Sequence, residues 1–130
     1  MTIELDHMQI GQVATRTELS LKTIRHYDEL GLVTPSARSA GGFRLYTEGD
    51  VQRLLVIRRM KPLGFSLDEM RELLDALDIL ASDDAVDAEA ATARHVLAGF
   101  YERAEDSCAR LRTQLAYAEE LTSILKTHAG

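Results

Sequence analysis

Lys22, Thr23, Arg25 and His26 crowd into one short stretch of the chain, Leu21-Lys22-Thr23-Ile24-Arg25-His26-Tyr27-Asp28-Glu29-Leu30-Gly31-Leu32. Ammonium, hydroxyl, guanidinium and imidazole groups are the donors that pair with phosphate oxygens and with base edges in a DNA groove. They stand among Leu21, Ile24 and Leu30, whose near-helical spacing predicts a helix with one apolar side and cations on its other faces. A second basic and aromatic cluster follows in Gly42-Phe43-Arg44-Leu45-Tyr46, which reads as part of a short hairpin. An amphipathic cationic helix followed by a basic loop has the chemistry of a DNA groove reader.

Other chemistries find little support. The chain has no phosphate-binding glycine loop, no nucleophile elbow and no zinc-hydrolase motif. Glu102, Glu105, Asp106, Glu119 and Glu120 alternate with Arg103, Arg110 and Arg112, the pattern of a solvated helix face rather than a carboxylate active site. His95 and His128 lack partners at ligand spacing and read as surface residues. Cys108 is the sole cysteine, so neither an intrachain disulfide nor a multi-cysteine metal cage can form. No catalytic residue, metal or cofactor is expected.

Charge is unevenly divided. The net charge of −6 argues against a polyanionic partner, but residues 8–64 carry nine Lys/Arg against five Asp/Glu, whereas residues 65–130 carry six against fourteen. The basic first half suits nucleic acid and the acidic second half does not. No apolar run is long enough to span a membrane, and Met1–His7 has neither the basic nor the apolar region of a signal peptide. The cytoplasm is the expected compartment.

The elements that must position these groups follow from spacing. Ile10, Val13 and Ala14 predict a first helix over Gln9–Thr15, and Ser20 caps a second that runs to about Leu30, with Gly31 just past its end. With a tight turn near Arg16–Leu19 between them, the pair is a helix-turn-helix. Gly41-Gly42 allows a turn, so Ala37–Ser39 and Phe43–Tyr46 pair as a two-stranded wing. Thr47 caps a third helix, with Asp50 in its first turn and Val51, Leu54, Leu55 and Ile57 inward. Pro62 beside Gly64 ends or kinks that helix at Lys61, and Ser66-Leu67-Asp68-Glu69 is a capping box that starts a fourth, with Leu67, Met70, Leu73 and Leu74 inward.

Farther on, Leu97, Ala104, Leu111, Ala118 and Leu125 recur every seven residues, and Tyr101, Cys108, Leu115 and Thr122 fall four after the first four of them. That is a coiled-coil seam. A helix over Ala88–Lys126 would be roughly 58 Å long at ~1.5 Å per residue, too long to bury its seam on one small domain. A second copy is therefore expected. The fold class is mainly α: a winged helix-turn-helix domain over 8–77, a linker over 78–87 and a dimerising coiled-coil helix over 88–126.

Residues 8–77 resemble the DNA-binding domain of MerR-family transcription regulators. The resemblance rests on Met8-Gln9-Ile10-Gly11-Gln12-Val13-Ala14, Thr23-Ile24-Arg25-His26-Tyr27-Asp28-Glu29-Leu30-Gly31-Leu32, Gly42-Phe43-Arg44-Leu45-Tyr46 and Leu63-Gly64-Phe65-Ser66-Leu67-Asp68-Glu69. It implies a second helix seated in the major groove, a wing against the backbone and an antiparallel homodimer. It also implies a mechanism in which the dimer bends and untwists an over-long promoter spacer so that RNA polymerase engages both promoter elements.

Carried across by position, the DNA-binding set is Arg16, Lys22, Thr23, Arg25, His26, Tyr27, Arg38, Phe43, Arg44, Tyr46 and Lys61, with Arg59 or Lys61 near a second backbone contact. Arg25 would pair with a guanine or clamp a phosphate, and Tyr27 would pack its ring and offer its hydroxyl to a phosphate. Three positions depart from the family pattern: Glu18 where glycine is frequent, His26 where an aromatic ring is frequent, and Pro62. Glu18 therefore implies backbone strain or a different turn. Cys108 has two readings, a small packing residue of the seam or a thiol switch facing its mate. The family's drug sensors carry a further ligand domain after the coil and none is expected here, so a small effector would bind at the junction of residues 65–100 or between chains. A different class of function also fits: a DNA-binding architectural module that recruits a protein partner through its acidic C-terminal helix.

Overall fold

The computed structural model describes residues 7–130; residues 1–6, where no signal peptide is expected, lie outside them. The elements are β1 (Met8–Gln9), α1 (Ile10–Thr17), α2 (Leu21–Glu29), β2 (Ala37–Arg38), β3 (Arg44–Tyr46), α3 (Glu48–Met60), a 3-10 turn at Lys61–Leu63, α4 (Leu67–Ala81) and α5 (Asp87–Ala129). They form two compact units that divide between Asp75 and Ala76, within α4.

In the first unit α1 packs on α2 and α3. It begins one residue later than its apolar spacing predicts, because Gln9 is its N-cap and donates its N–H to Gln12 Oε1 at 3.1 Å. Glu18 ends it with φ 58 and ψ 28, its N–H bonded to Ala14 O at 2.8 Å. The expected strain is thus present: a side chain in the left-handed region costs about 1–2 kcal/mol. Ser20 Oγ then accepts the Thr23 N–H at 3.0 Å and starts α2. The buried side of α2 is Ile24 and Tyr27; Leu21, expected on that side, is exposed. Gly31, at φ 69, reverses the chain while Leu32 N–H bonds to Tyr27 O at 2.9 Å, the arrangement that closes a helix end.

The wing carries one strand more than its sequence predicts. The antiparallel sheet has the order β1-β3-β2, with Met8 opposite Tyr46, Ala37 opposite Leu45 and Arg38 opposite Arg44. β1 is two residues long, too short to show an alternating pattern. At the wing tip Gly42 takes φ 82, and a Cβ on Gly41 would sit 3.1 Å from the Phe43 ring, so both glycines have a steric reason.

Asp50 Oδ2 closes the cap of α3 by accepting the Thr47 N–H at 2.9 Å, and it also accepts the Ser36 hydroxyl at 2.7 Å. Val51, Leu54 and Ile57 are fully buried, whereas Leu55 is only half-buried. The helix ends at Met60, Pro62 lies in the 3-10 turn and Gly64 takes φ 84, as the position of the proline predicts. Ser66 Oγ accepts the Glu69 N–H at 3.1 Å and Glu69 Oε1 the Ser66 N–H at 2.8 Å, so α4 starts on its capping box. Met70 and Leu74 are buried and Leu73 is half-buried; Leu67, expected inward, is 41% exposed.

The second unit holds the end of α4 and all of α5. Residues 78–81, expected in the linker, are helical; only 82–86 lie outside helix. α5 has 43 residues, about 65 Å at 1.5 Å per residue. Its buried residues are Ala93, Phe100 and Ser107, also seven apart but one register away from much of the expected seam. Leu97, Ala104 and Cys108 are half-buried, while Tyr101, Leu111, Leu115, Ala118, Thr122 and Leu125 are exposed. Nothing among the described residues covers those exposed positions.

Candidate nucleic-acid interface

Lys22, Arg25 and His26 are exposed on α2, and Thr23 is half-buried beside them. The Thr23 hydroxyl accepts from Ser20 Oγ at 2.8 Å, which ties it to the helix cap. Tyr27 is 4% exposed, with its ring centroid 6.2 Å from that of His26. Its ring packs as predicted, and the rigid first turns of α2 present the three exposed donors together.

A groove of about 590 Å³ runs between α2 and the start of α4. Lys22, Thr23, His26 and Tyr27 form one wall; Lys61, Phe65, Leu67 and Met70 line the other. Lys61 is exposed and lines the same groove as Lys22, together with the apolar side chains of Phe65, Leu67 and Met70. Two ammonium groups beside an apolar channel suit a sugar-phosphate strand, which carries a charge on one side and a sugar on the other. Leu67 is exposed because it lines this groove instead of entering the core.

The wing turns two of its expected contact residues inward. Tyr46 is fully buried and its hydroxyl has no hydrogen-bond partner among the described residues, so it belongs to the core and not to a DNA contact. It faces Met8 across the sheet, and burial pushes its phenol above the ordinary value, with Asp28 adding to the effect. Arg44, two residues earlier and therefore on the same face, is also drawn inward. Its Nε donates to Asp28 Oδ2 at 2.7 Å, and this hydrogen bond holds the guanidinium above its usual pKa. Arg38 Nη2 lies 3.6 Å from the same oxygen, and its Nη1 donates to Gly42 O at 3.3 Å. Phe43, 69% exposed, stands at the wing tip.

Arg16 is engaged as well. Its Nη1 and Nη2 donate to Glu48 Oε1 and Oε2 at 2.9 and 2.8 Å. The hydrogen bond from Arg16, then that from Gln52, lowers the Glu48 carboxyl to about 2. Arg16 therefore locks α1 to the first turn of α3 while remaining partly open to solvent.

Several residues that shape the site were not legible in the sequence. Asp28 gathers the wing arginines, and its only signal is a carboxylate in the last turn of a helix, where the dipole disfavours it. Arg71 of α4 donates to Gly31 O at 3.0 Å and Leu30 O at 3.2 Å, at the end of α2. Arg58 donates to Thr17 O at 2.7 Å and fastens the helix-turn-helix to α3. Nothing in local spacing marks either arginine.

Comparison with known proteins agrees with this geometry. Residues 8–77 match the family model described as MerR HTH family regulatory protein, and residues 51–116 match that described as MerR, DNA binding. Heavy metal-dependent transcription regulator 2 of Rhizobium meliloti is 33% identical over 123 residues, covering 95% of this chain and 75% of that protein. The regulator ZntR of Escherichia coli K12 is 48% identical over 66 residues, 51% of this chain and 47% of ZntR. Among solved structures, HiNmlR, a MerR family regulator lacking the sensor domain, bound to promoter DNA, has the same fold: TM-score 0.66 at 21% identity, over 93% of this chain and 91% of that one. A helix-turn-helix with three exposed donors, a tethered basic wing, and family matches that together run from residue 8 to residue 116 lead to one conclusion: the chain belongs to the MerR family of DNA-binding transcription regulators.

Proposed function

We propose that two copies of this chain pair through α5 and bind a pseudo-palindromic promoter, bending and untwisting its spacer. The observation that carries this reading is the far half of α5. Every residue from 109 to 130 is exposed, including Leu111, Leu115, Leu121, Ile124 and Leu125 at 47–58%. An apolar stripe of that length is a surface for a partner, and the seven-residue repeat fits a second helix of the same kind.

In the bound dimer, Lys22, Arg25 and His26 read or clamp one major groove per protomer, while Lys61 and the wing hold the flanking backbone. Contacts on both flanks of an uncontacted centre convert binding energy into DNA deformation. RNA polymerase is the partner that senses the change in the spacer, in the cytoplasm, and a small effector sets which DNA shape is held.

The test is a footprint of the purified full chain on the DNA upstream of its own gene, with a reagent sensitive to helix distortion. Symmetric protection around a hyper-reactive centre is the expected result. Protection with an unreactive centre, unchanged by added polymerase, would overturn the untwisting mechanism and leave simple occlusion.

A further inference from the structure

Arg38 and Arg44 stand directly opposite each other on the antiparallel strands β2 and β3. Like charges in that position repel and weaken the strand pair. One carboxylate answers both: Asp28 Oδ2 lies 2.7 Å from Arg44 Nε and 3.6 Å from Arg38 Nη2. The Asp28 side chain is only 12% exposed, against 26% for Arg44 and 51% for Arg38, so the carboxylate sits beneath the guanidinium groups. Asp28 also lies in the last turn of α2, where a negative charge opposes the helix dipole. Helix stability does not account for a carboxylate there; the wing does.

We propose that Asp28 is a positioning residue that sets the wing's grip on DNA relative to the recognition helix. It engages the Nε edge of Arg44 and leaves the terminal nitrogens of that guanidinium to present to a phosphate. It also leaves the arginine pair with one net positive charge instead of two, which limits attraction to any polyanion while fixing the geometry for the right one. Asp28 thus trades non-specific attraction for alignment. This inference rests on the reading that the wing faces DNA.

The experiment measures affinity of the purified full chain for two duplexes of equal length, one selected by the wild type from random-sequence DNA and one unselected. Asp28→Asn and Asp28→Ala are expected to weaken binding to the selected duplex about tenfold, the scale of one charge-assisted hydrogen bond. Binding to the unselected duplex stays equal or tightens, because a negative charge has been removed. Asp28→Glu restores part of the selected-site affinity. In the Asp28→Ala background, Arg44→Ala costs less on the selected duplex than it does in the wild type. Parallel losses on both duplexes with a lowered melting temperature would mark Asp28 as merely structural and overturn the proposal. A full Arg44→Ala effect with no effect of Asp28→Asn would overturn this proposal alone. No effect of Arg44→Ala in the wild type would overturn both it and the wing's contact with DNA.

Discussion

Arg71 Nη1 lies 3.0 Å from the carbonyl oxygen of Gly31, forty residues earlier in the chain. The last carbonyls of a helix have no partner within it, and a cation there also complements the dipole. Because α4 supplies this guanidinium, the end of α2 is held by a side chain forty residues later in the chain. Arg71→Ala should cost about 1–3 kcal/mol in urea unfolding and weaken DNA binding. Arg71→Lys should recover little of either, since an ammonium cannot reach two carbonyls as a planar fork does.

Glu18→Gly should stabilise the chain. Its left-handed backbone, φ 58, carries a Cβ penalty that glycine lacks. After the greater entropy of glycine in the unfolded chain is subtracted, a gain of up to about 1 kcal/mol remains. A higher urea midpoint at unchanged m-value is the check; a lower midpoint would show that the Glu18 side chain contributes more than the strain costs.

Tyr46→Phe should leave DNA affinity and its salt dependence unchanged and should not reduce stability, because the buried hydroxyl it removes has no partner among the described residues. Lys61→Ala, by contrast, should lower the salt slope by about 0.9 if the ammonium meets a phosphate. Titrating both variants against salt separates a core residue from an interface residue. A lower DNA affinity for Tyr46→Phe at constant salt would return the phenol to the DNA contact set.

Acid should release the lock between α1 and α3. Glu48 falls from 4.5 to about 2 in the folded chain, chiefly through its hydrogen bond from Arg16. A carboxyl whose folded pKa is depressed adds stability above its unfolded pKa and loses it as pH falls through the folded value. The Arg16–Glu48 contribution is thus complete above pH 4.5 and fades towards about 2. Glu48→Gln should flatten that part of the stability-against-pH curve. Because the pair is exposed, the effect is small and shrinks with added salt.

If two copies pair through α5 as proposed, Leu115→Glu should convert that dimer to a monomer in sedimentation at micromolar concentration while circular dichroism retains its helical signal. Leu115 is 58% exposed in the single chain, so the substitution damages no core. A dimer that survives it would place the pairing surface elsewhere.

The sequence by itself determined the local elements. Ser20, Thr47 and Ser66 each carry an oxygen that caps a helix, Gly31 and Gly64 accept the left-handed backbone that ends one, and Pro62 cannot continue α3. These are interactions within four residues, and residue types reveal them directly. The exposed cations of α2 were legible for the same reason: helical periodicity separates them from Ile24 and Tyr27. Only the tertiary structure decided what meets across long separations. β1 exists because β3 is there to pair with it, and Tyr46 is a core residue because its strand face turns towards the helices. Arg44 and Arg16 proved to be held by Asp28 and Glu48, sixteen and thirty-two residues away. An arginine in a sequence offers the same five donors to a phosphate or to a carboxylate, and only the folded chain determines which lies within reach.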